Sequence, residues 1–168
     1  NTAATFNEFP AFPRITLKGE WVATRGQSQP VWEYALPDGS DTRVGTSGIY
    51  VEKSGNSLKT AASLLGAVPG FAYFSVPGAS VPGTRFDQFP GAPSPTGTKF
   101  VVFKGNYTDG GVSATGIFFR NVLDGAGKLP TRLIASTSSL IPRSKVTFGS
   151  TAPPTASDGN LVFLGLDN

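Results

Sequence analysis

The stretch Gly97-Thr98-Lys99-Phe100-Val101-Val102-Phe103-Lys104-Gly105 decides the fold of this chain. Its centre, Phe100 to Phe103, is a short unbroken run of β-branched and aromatic residues between glycines. Such a run predicts a strand buried on both faces rather than a turn of helix. Because strand side chains alternate, we expect Val101 and Phe103 on one face of this strand and Phe100 and Val102 on the other.

A second apolar run follows at Gly116-Ile117-Phe118-Phe119-Arg120. The residues between the two runs, 105–111, are dense in turn formers, so the pair is predicted to form an antiparallel hairpin with a long exposed loop. This loop contains Asn106-Tyr107-Thr108, a glycosylation sequon, which makes Asn106 a candidate glycosylation site. The simpler interpretation of the triplet is an ordinary turn.

Composition extends the β prediction to the whole chain. The 168 residues match the length of one domain and include 21 glycines and 14 prolines, which suits many short strands joined by turns. Thirteen phenylalanines and no methionine indicate a stiff aromatic core. Leu58–Leu65 could be read as a turn of helix, but the similar segment Arg132–Ser136 contains Leu-Ile, which favours a strand in both. We therefore predict a single all-β domain over residues 1–168.

Short motifs recur along the chain and predict repeated antiparallel units of three or four strands. The copies are predicted at about residues 6–85, 86–147 and 148–168, the last one partial. Four pairs of segments match between the first two copies: Phe6–Pro10 with Phe86–Pro90, Trp21–Gly26 with Phe100–Gly105, Gly48–Tyr50 with Gly116–Phe118, and Lys59–Pro69 with Arg132–Pro142. The third copy starts with Phe148 and continues through Gly159–Gly165.

The order of these motifs (Phe-x-x-Phe-Pro, a glycine-bounded apolar strand, Gly-Ile-Tyr/Phe, Ile-Ala-Ser, Ile-Pro) resembles a family of secreted repeat proteins of unknown function. Those proteins have propeller-like repeats and often a C-terminal sorting anchor. The resemblance implies a fold and a compartment and supplies no active site. Since a propeller normally has at least four blades, the expected alternatives are a fragment, closure by oligomerisation, or a sandwich or barrel.

Several functional classes are disfavoured by the composition. The chain has no cysteine and no histidine, which removes disulfides, thiolate nucleophiles and the commonest general base and metal ligand. We expect no metal site and no cofactor. The formal charge is only +3 and the basic residues are scattered singly, so we expect no nucleic-acid partner. The Gly-x-Gly at 125–127 lacks the following helix of a phosphate loop.

Localisation is predicted from two features. No apolar run approaches the roughly 18 residues of a membrane span, so no direct span is expected. The sequence begins at Asn1 without methionine, which favours a processed chain that is secreted, periplasmic or in an organelle lumen.

Aromatic residues outside the repeats are the candidate binding residues. Trp21 is expected in the core, whereas Trp32, Tyr34 and Tyr107 lie in predicted loops or unrepeated segments, where exposed rings could stack on sugars or anchor a protein. Loop carboxylates such as Asp38 and Asp41 could bind calcium or hydrolyse glycosides, although aspartate is also the ordinary turn residue.

From these observations we expect a non-enzymatic structural or interaction module belonging to a larger assembly. Its partner would be another protein or a second copy, bound through exposed sheet edges. The alternative is a carbohydrate-binding module or carbohydrate-active enzyme that uses loop aromatics and carboxylates, with a glycan as ligand.

Overall fold

The computed structural model describes residues 8–16, 20–27, 32–35, 41–44, 47–64, 75–122 and 130–167. Within these ranges no helix occurs, and every pair of strands is antiparallel. The prediction of an all-β fold is confirmed. The strands in chain order are β1 (Arg14–Ile15), β2 (Trp21–Gln27), β3 (Trp32–Ala35), β4 (Asp41–Val44), β5 (Ser47–Lys53), β6 (Lys59–Ser63), β7 (Phe86–Gln88), β8 (Ser94–Thr96), β9 (Phe100–Asp109), β10 (Val112–Asn121), β11 (Arg132–Ser136), β12 (Phe148–Thr151), β13 (Thr155–Ser157), β14 (Asn160–Val162) and β15 (Gly165–Asp167).

The first sheet contains four strands in the order β1-β2-β5-β6. Strands β5 and β6 are joined by a turn in which Gly55 has a φ of 79° and the Asn56 amide donates to the Lys53 carbonyl at 2.8 Å. This turn was expected from the sequence, and so was a strand rather than a helix at Lys59–Ser63. Strands β3 and β4 form a separate two-stranded ladder.

The second sheet is built around the β9–β10 hairpin and has the order β11-β10-β9-β7, with β8 also paired to β9. The prediction of a long loop in this hairpin is wrong. Pairing continues to Asp109↔Val112, so only Gly110 and Gly111 form the turn, with φ of 59° and 85°. Two successive residues at positive φ match the right-handed twist of a hairpin, and glycine adopts them without steric cost.

The two sheets have the same pairing register. In the first, Gly26 lies opposite Gly48; in the second, Gly105 lies opposite Gly116. The pairing of the outer strands, β6 and β11, also agrees between the two sheets. In each sheet its register shifts one residue after the glycine, between Ile49 and Tyr50 of β5 and between Ile117 and Phe118 of β10. Lys59–Ser63 and Arg132–Ser136 therefore occupy the same edge position in their respective sheets.

The C-terminal part forms two short ladders, β12 with β15 and β13 with β14. Their pairing follows that of β7 and β8 with β9. Phe148 opposes Asp167, with a register shift before Ser150, just as Phe86 opposes Tyr107 with a shift before Gln88. We refer to β12–β15 as the C-terminal ladders.

The main core lies between the first and second sheets. Trp21, Ala23, Ile49 and Val51 of the first sheet share one buried cluster with Val101, Phe103 and Phe118 of the second. Val102 and Ile117, which point to the other face of the second sheet, are buried too. The predicted burial on both faces is confirmed for Val101, Val102 and Phe103, whereas Phe100 is half-buried; the core position of Trp21 is confirmed.

Arginine side chains connect these layers through backbone carbonyls. Buried Arg120 of β10 donates to the carbonyls of Thr60 at 2.7 Å and Ala61 at 3.2 Å, both on edge strand β6. Arg25 donates to the Phe89 carbonyl at 2.8 Å, and Arg14 to the Pro154 carbonyl at 3.2 Å. These charge-assisted bonds fix how the sheets and the C-terminal ladders meet.

Candidate interaction edge

Two of the predicted binding residues, Trp32 and Tyr34, lie on β3, whose backbone pairs with β4. Their side chains, and residues 36–40 with the candidate Asp38, lie outside the described part of the structure. Their role in binding stays a prediction.

Tyr107 does not lie on a loop, and that prediction is wrong. It is part of β9, its side chain is only 4% exposed, and its ring lies 6.1 Å from the ring of Phe118. Burial raises the pKa of the phenol above its usual range; a hydrogen bond to Ser136 opposes this rise and the charge of Asp109 adds to it. A ring in this position stabilises the core and is not presented to a ligand.

Asn106 is likewise on β9 rather than on an exposed loop. Its Nδ2 donates to Oε1 of Gln88 at 3.2 Å, while its Oδ1 is buried without a hydrogen-bond partner. A glycan linked to Nδ2 would have to displace the contact with Gln88. Glycosylation of Asn106 stays a prediction.

The most distinctive surface is the free long edge of the C-terminal ladders. In the second sheet, β9 pairs with β7 and β8 on one side and with β10 on the other. In the C-terminal ladders, β14 pairs with β13 and β15 pairs with β12, on the side that corresponds to β7 and β8 in the second sheet. Among the described residues no strand pairs with their other side. We call this side of residues 160–167 the open edge.

The open edge carries exposed apolar side chains. Val162, Leu164 and Leu166 project on one face of the strand and are 67%, 62% and 55% exposed. The residue at the Val162 position of β9 is Val102, which is 3% exposed. The sequence signal for this surface is the apolar run Leu161–Leu164 followed by Leu166, but the pattern alone does not say whether these side chains are covered.

The other face of the same strand carries part of an aromatic cluster. The rings of Phe148 and Phe163 lie 5.9 Å apart, which is also the separation of Phe86 and Phe103 in the second sheet. There the cluster also includes Phe118 of β10, 5.0 Å from Phe86, together with Phe89 and Tyr107. The C-terminal ladders thus contain the counterparts of two rings of a larger cluster.

A second feature is a cavity of about 420 Å³ where β1, β8 and β13 come together. Ser94 holds two of these strands in place, since its Oγ accepts from the Ala156 amide at 3.0 Å and donates to the Ala156 carbonyl at 3.3 Å. The residues that line the cavity include four with hydroxyl groups, Thr16, Thr96, Thr98 and Ser157, and two with carboxylates, Glu20 and Asp158. The residues described around it include no aromatic ring.

One of the described carboxylates has a clear structural role. Among the described residues, no group of three or more aspartates and glutamates could hold a metal ion. Asp109 is used structurally: it accepts hydrogen bonds from the amides of Ser80 at 2.6 Å and Val81 at 2.9 Å. These bonds hold the pKa of its carboxyl below the usual range.

In comparisons with known proteins, no family model, curated protein or solved structure matches the chain. Within the described ranges there is also no helix long and apolar enough to cross a membrane.

Proposed function

We propose that this chain is a non-enzymatic structural or interaction module, made of repeated propeller-like β units, that joins a larger assembly through its open edge. The resemblance noted from the sequence places such a module outside the cell or in a lumen. The single observation that carries the proposal is the open edge itself. A strand with one side unpaired presents backbone donors and acceptors, and these readily pair with another chain.

The repeat hypothesis is supported by the pairing registers. Glycine pairs, register shifts and outer strands agree between the first and second sheets. The C-terminal ladders agree with the β7, β8 and β9 part of the second sheet. In this arrangement the second sheet is covered on both faces, as an internal blade of a propeller would be.

The exposed apolar residues support association at this place. Val162, Leu164 and Leu166 are exposed within five consecutive residues of β14 and β15 and the link between them, and apolar groups clustered in this way are typical of interaction sites. Hydrophobic residues scattered singly over a surface would need no such explanation.

The experiment compares the chain with a version lacking residues 158–168, by light scattering and by chemical unfolding. We expect the complete chain to exceed the monomer mass of 17.5 kDa in a concentration-dependent manner, and the shortened chain to be monomeric and less stable. A shortened chain that is folded, monomeric and as stable as the complete chain would overturn the proposal.

A point variant separates association from folding. Leu164→Lys should abolish self-association because it places a charge on the apolar face of the open edge. Val112→Lys is the matched control, since Val112 is similarly exposed (68%) but lies at the tip of the β9–β10 hairpin. If the Leu164→Lys and Val112→Lys chains self-associate to the same extent, this result would also count against the proposal.

The cavity at β1, β8 and β13 favours carbohydrate binding as a second candidate function. Its hydroxyls and two carboxylates can exchange hydrogen bonds with sugar hydroxyls. Calorimetric titration with a panel of oligosaccharides tests this, with Glu20→Gln and Asp158→Asn expected to weaken any binding. Saturable binding unaffected by either substitution would exclude the cavity as the sugar site.

A further inference from the structure

We infer that the open edge binds one particular kind of strand: an antiparallel segment of a partner polypeptide with the pattern Gly-apolar-aromatic, its glycine opposite Gly165. This inference rests on the proposed function and specifies the chemistry of the partner. It follows from what occupies the corresponding edge in the two complete sheets.

The expected register of the partner strand follows from the pairs of opposing glycines in the first and second sheets. Gly26 opposes Gly48 and Gly105 opposes Gly116, and both opposing strands continue as Gly-Ile followed by Tyr50 or Phe118. Gly165 corresponds to Gly105, because each lies under a phenylalanine ring contributed by a neighbouring strand, Phe148 and Phe86 respectively. A strand that continues this pattern therefore places its own glycine opposite Gly165.

The glycine of the incoming strand is required for steric reasons. In the second sheet, a Cβ on Gly116 would lie 2.8 Å from Cζ of Phe118 and 3.2 Å from the Ala135 carbonyl oxygen. In the first sheet, a Cβ on Gly48 would lie 2.9 Å from the Tyr50 hydroxyl. In both cases the aromatic ring two residues later folds back over the glycine, so a larger residue at the glycine position would displace the ring.

The aromatic residue of the incoming strand supplies the counterpart of Phe118, the ring that β10 contributes to the cluster in the second sheet. Phe118 lies 5.0 Å from Phe86 and 6.0 Å from Phe103. Phe148 and Phe163 have the separation of Phe86 and Phe103, and Phe163 is only partly buried. An aromatic side chain at the Phe118 position of the partner would cover Phe163 and add edge-to-face contacts of the kind present in the second sheet.

Backbone pairing supplies affinity in such strand addition, and pockets for alternate side chains supply specificity. The side of β14 and β15 that is unpaired among the described residues would provide the backbone pairing. The position beside Phe148 and Phe163 would receive the aromatic residue two places after the glycine, and this contact would provide the specificity.

The test uses the complete chain and a synthetic peptide with the sequence of Ser113–Asn121, Ser-Ala-Thr-Gly-Ile-Phe-Phe-Arg-Asn. Calorimetry should show one peptide bound per chain. Amide NMR shifts should change at residues 161–167 and remain unchanged at Val112. Peptides carrying Gly116→Val or Phe118→Ala should bind at least about tenfold more weakly, since the first adds a side chain that clashes with the ring of Phe118 and the second removes the ring contacts.

Each outcome decides the inference. Equal binding of a scrambled peptide, or shifts confined to other residues, would overturn it. In one outcome, the chain self-associates through residues 160–167, and the peptide neither binds to the chain nor dissociates the oligomer. The open edge is then occupied by a second copy, so the inference fails while the proposed function stands. If the chain stays monomeric and the peptide does not bind, both fail.

Discussion

The ring of Phe86 packs so closely on Gly105 that a Cβ built on this glycine would lie 2.5 Å from both Cδ1 and Cε1 of the ring. Phe148 packs in the same way on Gly165. In each case a phenylalanine at the start of one strand covers a glycine of the neighbouring strand. This contact brings the Phe86 ring over the sheet into the aromatic core.

We expect Gly105→Ala to destabilise the protein by about 1–3 kcal/mol, the usual cost of overpacking. Chemical unfolding measures the change. The same substitution in a Phe86→Leu background should cost less, because the ring that the new methyl group meets is gone; this double-mutant cycle isolates the contact. Equal costs in the two backgrounds would show that the Phe86 ring is not the cause.

Phe103→Ala should lower the free energy of unfolding by about 3–5 kcal/mol, because it leaves a cavity where a fully buried ring was packed. The control is Val112→Ala on the same hairpin, which should change stability by no more than about 0.5 kcal/mol since Val112 is exposed. A loss under about 1 kcal/mol for Phe103→Ala would contradict the burial of this strand.

Arg120→Met should destabilise the protein by about 1.5–3 kcal/mol, the usual worth of hydrogen bonds to a charged group. The substitution keeps much of the apolar stem but removes the bonds to the carbonyls of Thr60 and Ala61. Arg132→Met is the matched control, since Arg132 is an exposed arginine on the adjacent strand. If both substitutions have the same small effect, Arg120 does not link the two sheets.

The contact between the Asp109 carboxylate and the backbone amides of Ser80 and Val81 should weaken in acid. The hydrogen bonds from Ser80 and Val81 favour the ionised carboxylate, so its pKa in the folded protein lies below the ordinary value of 3.8. The stabilisation is therefore present above the ordinary pKa and is lost as the pH falls through the lower, folded value. We expect the protection of the Ser80 and Val81 amides, measured as the exchange rate relative to that of an unstructured peptide at the same pH, to fall in that acidic range.

Asp109→Asn provides the control for this pH dependence. The amide side chain retains an oxygen acceptor but does not titrate in this range, so the acid-dependent component of exchange should disappear. If the variant keeps the same pH profile, another group is responsible.

Much of the fold was predictable because it depends on local patterns. The Phe100–Phe103 run predicts its own burial, and the Ser54-Gly55-Asn56 turn follows from residue types that tolerate tight turns. The error at Asn106 and Tyr107 has a physical explanation. Polar residues alternate there with a buried ring, so turn-forming composition and strand periodicity point in different directions, and continued pairing with β10 decides between them.

The sequence by itself determined the all-β class, the recurrence of its motifs and the strands that form the core, since these follow from side-chain periodicity and from glycines that accept positive φ or close packing. Only the tertiary structure decided which edges are paired. Pairing joins residues separated in the chain, such as Phe148 with Asp167, and side-chain bonds, such as that from Arg120 to the Thr60 carbonyl, join strands still farther apart. The open edge at residues 160–167 consequently cannot be seen in the local sequence: an apolar strand has the same pattern whether or not another strand lies beside it.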